Sequence, residues 1–180
     1  RDKTYMSANK LELIESVEVT SSTATVTLGG ANWNNTYDSY MVILDGVTND
    51  SADEIQMHLL DSANAEITSS TYSYSFQRST QGTSESTVKN TNTDDIQIGT
   101  TGTGTGAMFG AEFLLQDFND ATKVSTGHMD CVFQDASGKV NTETGGFFMT
   151  AAAINKGLLF RIKSNNNFLT GRFTIYGIGS

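Results

Sequence analysis

The sequence predicts an all-β protein, an antiparallel sandwich of about nine or ten strands. Three observations carry this. Apolar and polar residues alternate with period two in segment after segment, the signature of strands with one wet face. The segments are bounded at short, regular spacing by Gly, Asn, Ser and Asp, which is the pattern of sandwiches. No stretch of ten or more residues carries a convincing 3.6-residue stripe, and the chain is rich in Thr and Ser with no proline at all. That composition suits strands and polar turns better than helices.

Each element follows in order. Residues 1–10, RDKTYMSANK, are polar and unpatterned and are expected to form an arm or connector. Residues 11–180 are expected to form a single sandwich domain, since 180 residues suffice for one good core. The Arg1 start, with no Met before it, points to a fragment or a processed product. LELIESVEV alternates Leu11 and Leu13 with Glu12, then Val17 and Val19 with Glu18. ATVTL repeats the pattern with Ala24, Val26 and Leu28, so the pair reads as a hairpin across SST. GGANWNN is a loop. In YDSYMVILDG the middle, Met41 to Leu44, is apolar on both faces and should be a covered central strand. EIQMHLLDS and TYSYSF are further strands. Residues 77–93 are almost wholly polar and read as a long exposed loop. AMFGAEFLLQDF, KVSTGHMDCVFQ, GGFFMTA, GLLFRIK and GRFTIYGI complete the set.

Composition excludes several functions. Eleven basic residues face twenty acidic ones, a formal net charge of -9 with no basic cluster, so neither nucleic acid nor an anionic membrane is an expected partner. No apolar run approaches the ~20 residues of a membrane helix. The single cysteine, Cys131, allows no intrachain disulfide and has no zinc-type spacing around it.

The glycine-rich stretch DDIQIGTTGTGTGAMFGAEFLL invites comparison with a dinucleotide-binding turn. Gly102, Gly104 and Gly106 give GxGxG rather than GxGxxG, and no helix follows. The loop is therefore read as a flexible linker between strands, and no cofactor is expected. His128 and Asp130 share a strand face, but no nucleophile pattern accompanies them, and Cys131 points to the opposite face. No catalytic residues are assigned. Asp45, Asp50 and Asp53 cluster near one turn and are weak calcium candidates, hard oxygen ligands without EF-hand spacing; ordinary turn chemistry is the preferred explanation. Trp33 and Tyr37 lie near one loop and could stack on sugars, although in a sandwich such aromatics more often serve the core. Tyr72 and Tyr74, beside the polar stretch, could form an interface strip. Asn34-Asn35-Thr36 and Asn49-Asp50-Ser51 match glycosylation sequons, a pattern common by chance.

Two stretches carry a resemblance. LIESVEVTSSTATVTLGGANWNNTYDSYMVILDGV resembles the opening of virion proteins from marine tailed phages, including those of cyanobacterial hosts. GLLFRIKSNNNFLTGRFTIYGIGS is similar to their closing hairpin, and EIQMHLLDS to one of their strands. Asn165 to Asn167 stand where those proteins carry a glycine-containing turn. The resemblance implies a jelly-roll-like sandwich serving as a non-enzymatic virion part on the particle surface, assembled in the host cytoplasm. A tail-fibre or receptor-binding head, contacting host polysaccharide or a receptor through its loops, is the expected role. A capsid decoration or head-fibre protein anchored by its N-terminal arm is the alternative, and a carbohydrate-binding module outside any phage is a third. By the same analogy the protein is expected to be a homo-oligomer, with a trimer favoured, among other virion proteins.

Overall fold

The computed structural model describes residues 10–33, 35–83, 85–102 and 108–179. Residues 1–9 of the expected arm, Asn34 of one sequon, and Gly104 and Gly106 of the glycine-rich loop lie outside the described residues. Twelve strands are present among the described residues: β1 (Lys10–Val19), β2 (Thr25–Gly29), β3 (Ser39–Asn49), β4 (Glu54–Leu60), β5 (Tyr72–Thr80), β6 (Ser86–Thr93), β7 (Ile96–Thr100), β8 (Phe109–Gln116), β9 (Thr126–Gln134), β10 (Val140–Met149), β11 (Gly157–Ile162) and β12 (Phe168–Gly179). One-turn 3-10 helices at Gly30–Asn32 and Lys163–Asn165 are the only helical pieces described.

The strands form two antiparallel sheets. One has eight strands in the order β1-β12-β3-β8-β9-β10-β5-β6, the other four in the order β2-β11-β4-β7. Eight of the strands pair in nested fashion: β1 with β12, β2 with β11, β3 with β8 and β4 with β7. Following the chain, these pairs fall alternately in the two sheets. A long hairpin rolled over itself in this way is the jelly roll, so the expected fold class holds. The remaining strands are two inserted hairpins, β5–β6 and β9–β10, which add to the β8 side of one sheet.

Three local readings are corrected. β1 and β2 do not form a hairpin, and neither do β11 and β12: each pair is split between the two sheets. The chain crosses the sandwich at these turns, and a local pattern cannot distinguish a crossing from a return. The polar stretch 77–93 is not a loop. It is the end of β5 and all of β6, an edge strand with water on nearly every side chain, so it shows no alternation. This accounts for the strand count exceeding nine or ten. β3 is central, but Met41 and Ile43 stay half-exposed on the outer face of the large sheet.

The core lies between the sheets. Phe160 packs 5.5 Å from Phe173 and 6.2 Å from Phe113, ring centre to ring centre, joining strands of both sheets. Tyr72 and Tyr74 belong to this core, at 0% and 5% exposure, and form no surface strip. The Tyr72 hydroxyl accepts from the Leu59 amide at 2.9 Å and donates to the Ile67 carbonyl at 2.9 Å, tying the 61–71 loop across β4. Under the inserted hairpins the core turns ionic. Glu143 has a fully buried side chain and receives the Arg78 guanidinium and, at 3.2 Å, the Gly99 amide.

Candidate functional site

A groove opens at one end of the sandwich where three connections meet: the 30–38 segment between β2 and β3, the 117–123 turn after β8, and the 150–156 segment after β10. Its wider part, about 620 Å³, is lined by Tyr37, Asp38, Asn119, Asp120, Lys123 and Ile154 among others. A smaller hollow of about 250 Å³ continues it past Trp33 to Lys156, sharing Asn35, Asn119 and Ile154.

Trp33 is half-buried. Its ring lies 4.0 Å from Tyr40 and 5.8 Å from Phe118, centre to centre. It also closes over Gly29, where a Cβ would fall 2.8 Å from the indole and where φ is +87°, so a side chain is excluded twice over. Tyr37 lies flat against Gly177 of the last strand, where a Cβ would meet its ring at 2.2 Å. Both aromatics that the sequence singled out near this loop are thus seated on glycines, Trp33 on one four residues before it and Tyr37 on one in the last strand.

Asn119 organises the floor. Its Oδ1 accepts from Trp33 Nε1 at 2.9 Å, and its Nδ2 donates to the Tyr37 carbonyl at 2.9 Å and to the Tyr40 hydroxyl. Burial pushes the Tyr40 phenol up to about 12, so it stays a neutral hydroxyl. No motif marks Asn119 in the sequence. Its partners lie about eighty residues away and meet it only through the β3–β8 pairing. The rim is charged. Asp120 accepts from the Thr122 hydroxyl at 2.6 Å and amide at 2.9 Å, which holds its carboxyl below the ordinary range. Lys123 bridges Asp117 at 2.9 Å and Asp120 at 3.7 Å.

The other candidates are not gathered here. Asp50 and Asp53 clamp the 163–167 turn: Asp50 accepts from the Asn167 amide at 2.9 Å, and Asp53 from Asn166 Nδ2 at 3.2 Å. Asp45 faces Arg172 in the register of β3 and β12. Among the described residues no group of three or more His, Cys, Asp or Glu is placed to hold a metal ion. His128 and Asp130 share the exposed outer face of β9 at 3.6 Å, while Cys131 is buried on the other face, its thiol pushed up by burial. Asn49 is buried, and its amide donates to the Ser51 carbonyl, so that sequon offers no accessible acceptor. Gly102 is held rather than loose: its amide donates to the Gln134 carbonyl at 2.6 Å.

No protein-family model matches the chain, and no curated protein matches it. Among solved structures the chain is similar to an exo-inulinase from Aspergillus awamori, with 14% identity and a TM-score of 0.36. The superposition covers 96% of this chain, which spans 30% of that protein's length. A likeness this loose has no bearing on activity.

The site as built presents the half-buried Trp33, which packs on Tyr40, Phe118 and Gly29, the largely buried Tyr37, an amide and carboxylates around an open groove. Such a surface offers polar groups to ligand hydroxyls beside an aromatic edge.

Proposed function

We propose that this chain is a non-enzymatic module of a tailed-phage virion, a tail-fibre or receptor-binding head that touches a host surface polysaccharide through the Trp33–Tyr37–Asn119 groove. The observation that carries the reading is the groove itself: two aromatics locked by one asparagine at the tip of a jelly roll, where loops of this fold do their recognition. Jelly rolls also recur in viral shells and lectins, which is support by analogy of fold. In this reading the chain acts as a homo-oligomer, a trimer being favoured, with other virion proteins as neighbours.

Trp33 is the only tryptophan, so its fluorescence reports on the groove directly. Titration with capsular or lipopolysaccharide glycans from host cells is expected to shift its emission saturably. Asn119→Ala is expected to weaken that binding at least about tenfold, because the indole loses the partner that orients it. Immunogold labelling of purified particles then tests the location. Label on the tail supports the receptor-binding role, and label on the head favours decoration. No label on any particle, together with unshifted emission, overturns the reading.

A further inference from the structure

The outer face of the eight-stranded sheet carries a second surface. Directly opposed residues of an antiparallel pair point to the same face, so the register places Leu13, Tyr176, Met41, Leu114 and His128 in one row across β1, β12, β3, β8 and β9. A parallel row runs Gly110, Val132 and Thr142, with Asp45 beside it in the β3 bulge. Leu11, Leu13, Leu114, Val132, Val140 and Phe148 all lie on this face and are all exposed, Leu13 by 58% and Val132 by 50%. The smaller sheet has no such face: the 61–71 loop lies over it, with Glu66 against His58 and Arg161.

Within the large face, two adjoining hollows of about 380 and 620 Å³ share Gly110 and Val132. One end of this trough is apolar, with Met108, Val132 and Val140. The other carries Glu112 and Asp130, and Asp45 flanks the first. Among the described residues Glu112 and Asp130 form no ion pair with Lys or Arg, whereas Asp45 has Arg172 opposite it in the register. Gly110 makes the trough. Its backbone is not in the left-handed region, and an added Cβ would meet nothing nearer than the Leu44 carbonyl at 3.6 Å. The fold therefore tolerates a side chain here, and a glycine inside a strand costs stability. Gly110 stands opposite the β3 bulge between Leu44 and Val47, and its missing side chain leaves the sheet surface low at this point.

We infer that this trough is a docking site for a partner protein segment that is basic and bears aliphatic side chains, its cations meeting Asp45, Glu112 and Asp130 and its apolar side chains resting on Met108, Val132 and Val140. Charge selects this occupant over a second copy of the chain. A face-to-face pair with its two-fold axis through the trough would set Glu112 and Asp130 against their own equivalents, on a protein already at -9.

The test uses the whole chain and a labelled ten-residue peptide alternating lysine with valine, with glutamate–valine and lysine–serine peptides as controls. The lysine–valine peptide alone is expected to bind tightly, and to bind more weakly in about 0.5 M salt. Gly110→Val, which fills the trough, and Glu112→Lys, an exposed strand position, are each expected to weaken it at least tenfold. If Gly110→Val does not fold, Glu112→Lys carries the comparison. Trp33 emission should not respond to the peptide, which separates this site from the groove. Absence of binding, equal binding of the glutamate–valine peptide, or binding unaffected by both variants overturns the proposal. So does self-association in sedimentation that Gly110→Val abolishes, because a second copy would then be the occupant.

Discussion

The hydroxyl of Tyr72 shows how much one buried atom decides. It satisfies a strand amide and a loop carbonyl at once, and burial raises its pKa far above the ordinary phenol value, so it remains a neutral donor. Tyr72→Phe keeps the ring and orphans the Leu59 amide, and is expected to cost about 1–3 kcal/mol. Thermal unfolding should show this at roughly 2–4 °C per kcal/mol for a chain of this size. His58, on the neighbouring face of β4, titrates in the opposite sense to a surface histidine in an acidic protein. Burial lowers its pKa, and the Arg161 guanidinium lowers it further, against Glu66. The folded chain thus binds fewer protons here than the unfolded chain between the folded value and about 6.5. Stability from this residue is complete above about pH 6.5 and falls as pH drops below it. His58→Gln should flatten the difference in melting temperature between pH 7 and pH 5, measured against the native sequence in the same buffers. An unchanged pH difference would show that His58 is not its source.

At the scale of the element, the inserted β9–β10 hairpin depends on a ring lying over a glycine. Phe147 faces Gly127 in the register, and a Cβ on Gly127 would fall 2.2 Å from Cζ of that ring. Cross-strand pairing of this kind covers exposed backbone and fixes register. Gly127→Ala is expected to force the ring aside at about 1–3 kcal/mol, the usual cost of overpacking. Adding Phe147→Leu should return part of that loss, which a double-mutant cycle in urea reads directly. The sheet edges are defended differently. β6 is polar apart from Val88 and carries Lys89, while β1 is interrupted by a bulge between Leu13 and Glu15. Both devices hinder edge-to-edge association.

For the whole molecule, the nested pairing joins strands at opposite ends of the chain, with Lys10 opposite Gly179 and Thr25 opposite Arg161. Contacts this distant in sequence make folding slow, on the scale of milliseconds to seconds or longer. The same topology brings three chain segments to one tip and, among the described residues, leaves the broad face of the larger sheet uncovered. The groove and the trough are therefore separate surfaces, proposed above to take a polysaccharide and a basic segment respectively. Independent responses of Trp33 emission and peptide binding are the expected outcome for the intact protein.

Period-two alternation and turn chemistry made the class of fold readable from the sequence, because a strand's side-chain pattern is set by its own pleat and by which face is dry. The same local signal placed Trp33 and Tyr37 beside one loop and sent His128 and Cys131 to opposite faces. Strand β6 escaped it because both of its faces are wet. Pairing was decided only in three dimensions. Hydrogen bonds between β1 and β12 leave no trace in either segment alone, so a crossing between sheets looked like a hairpin. The burial of Tyr72 and Tyr74, the orientation of Trp33 by Asn119 and the trough over Gly110 have the same origin. Each depends on what a distant strand places opposite, and that is determined by packing of the whole core rather than by neighbours along the chain.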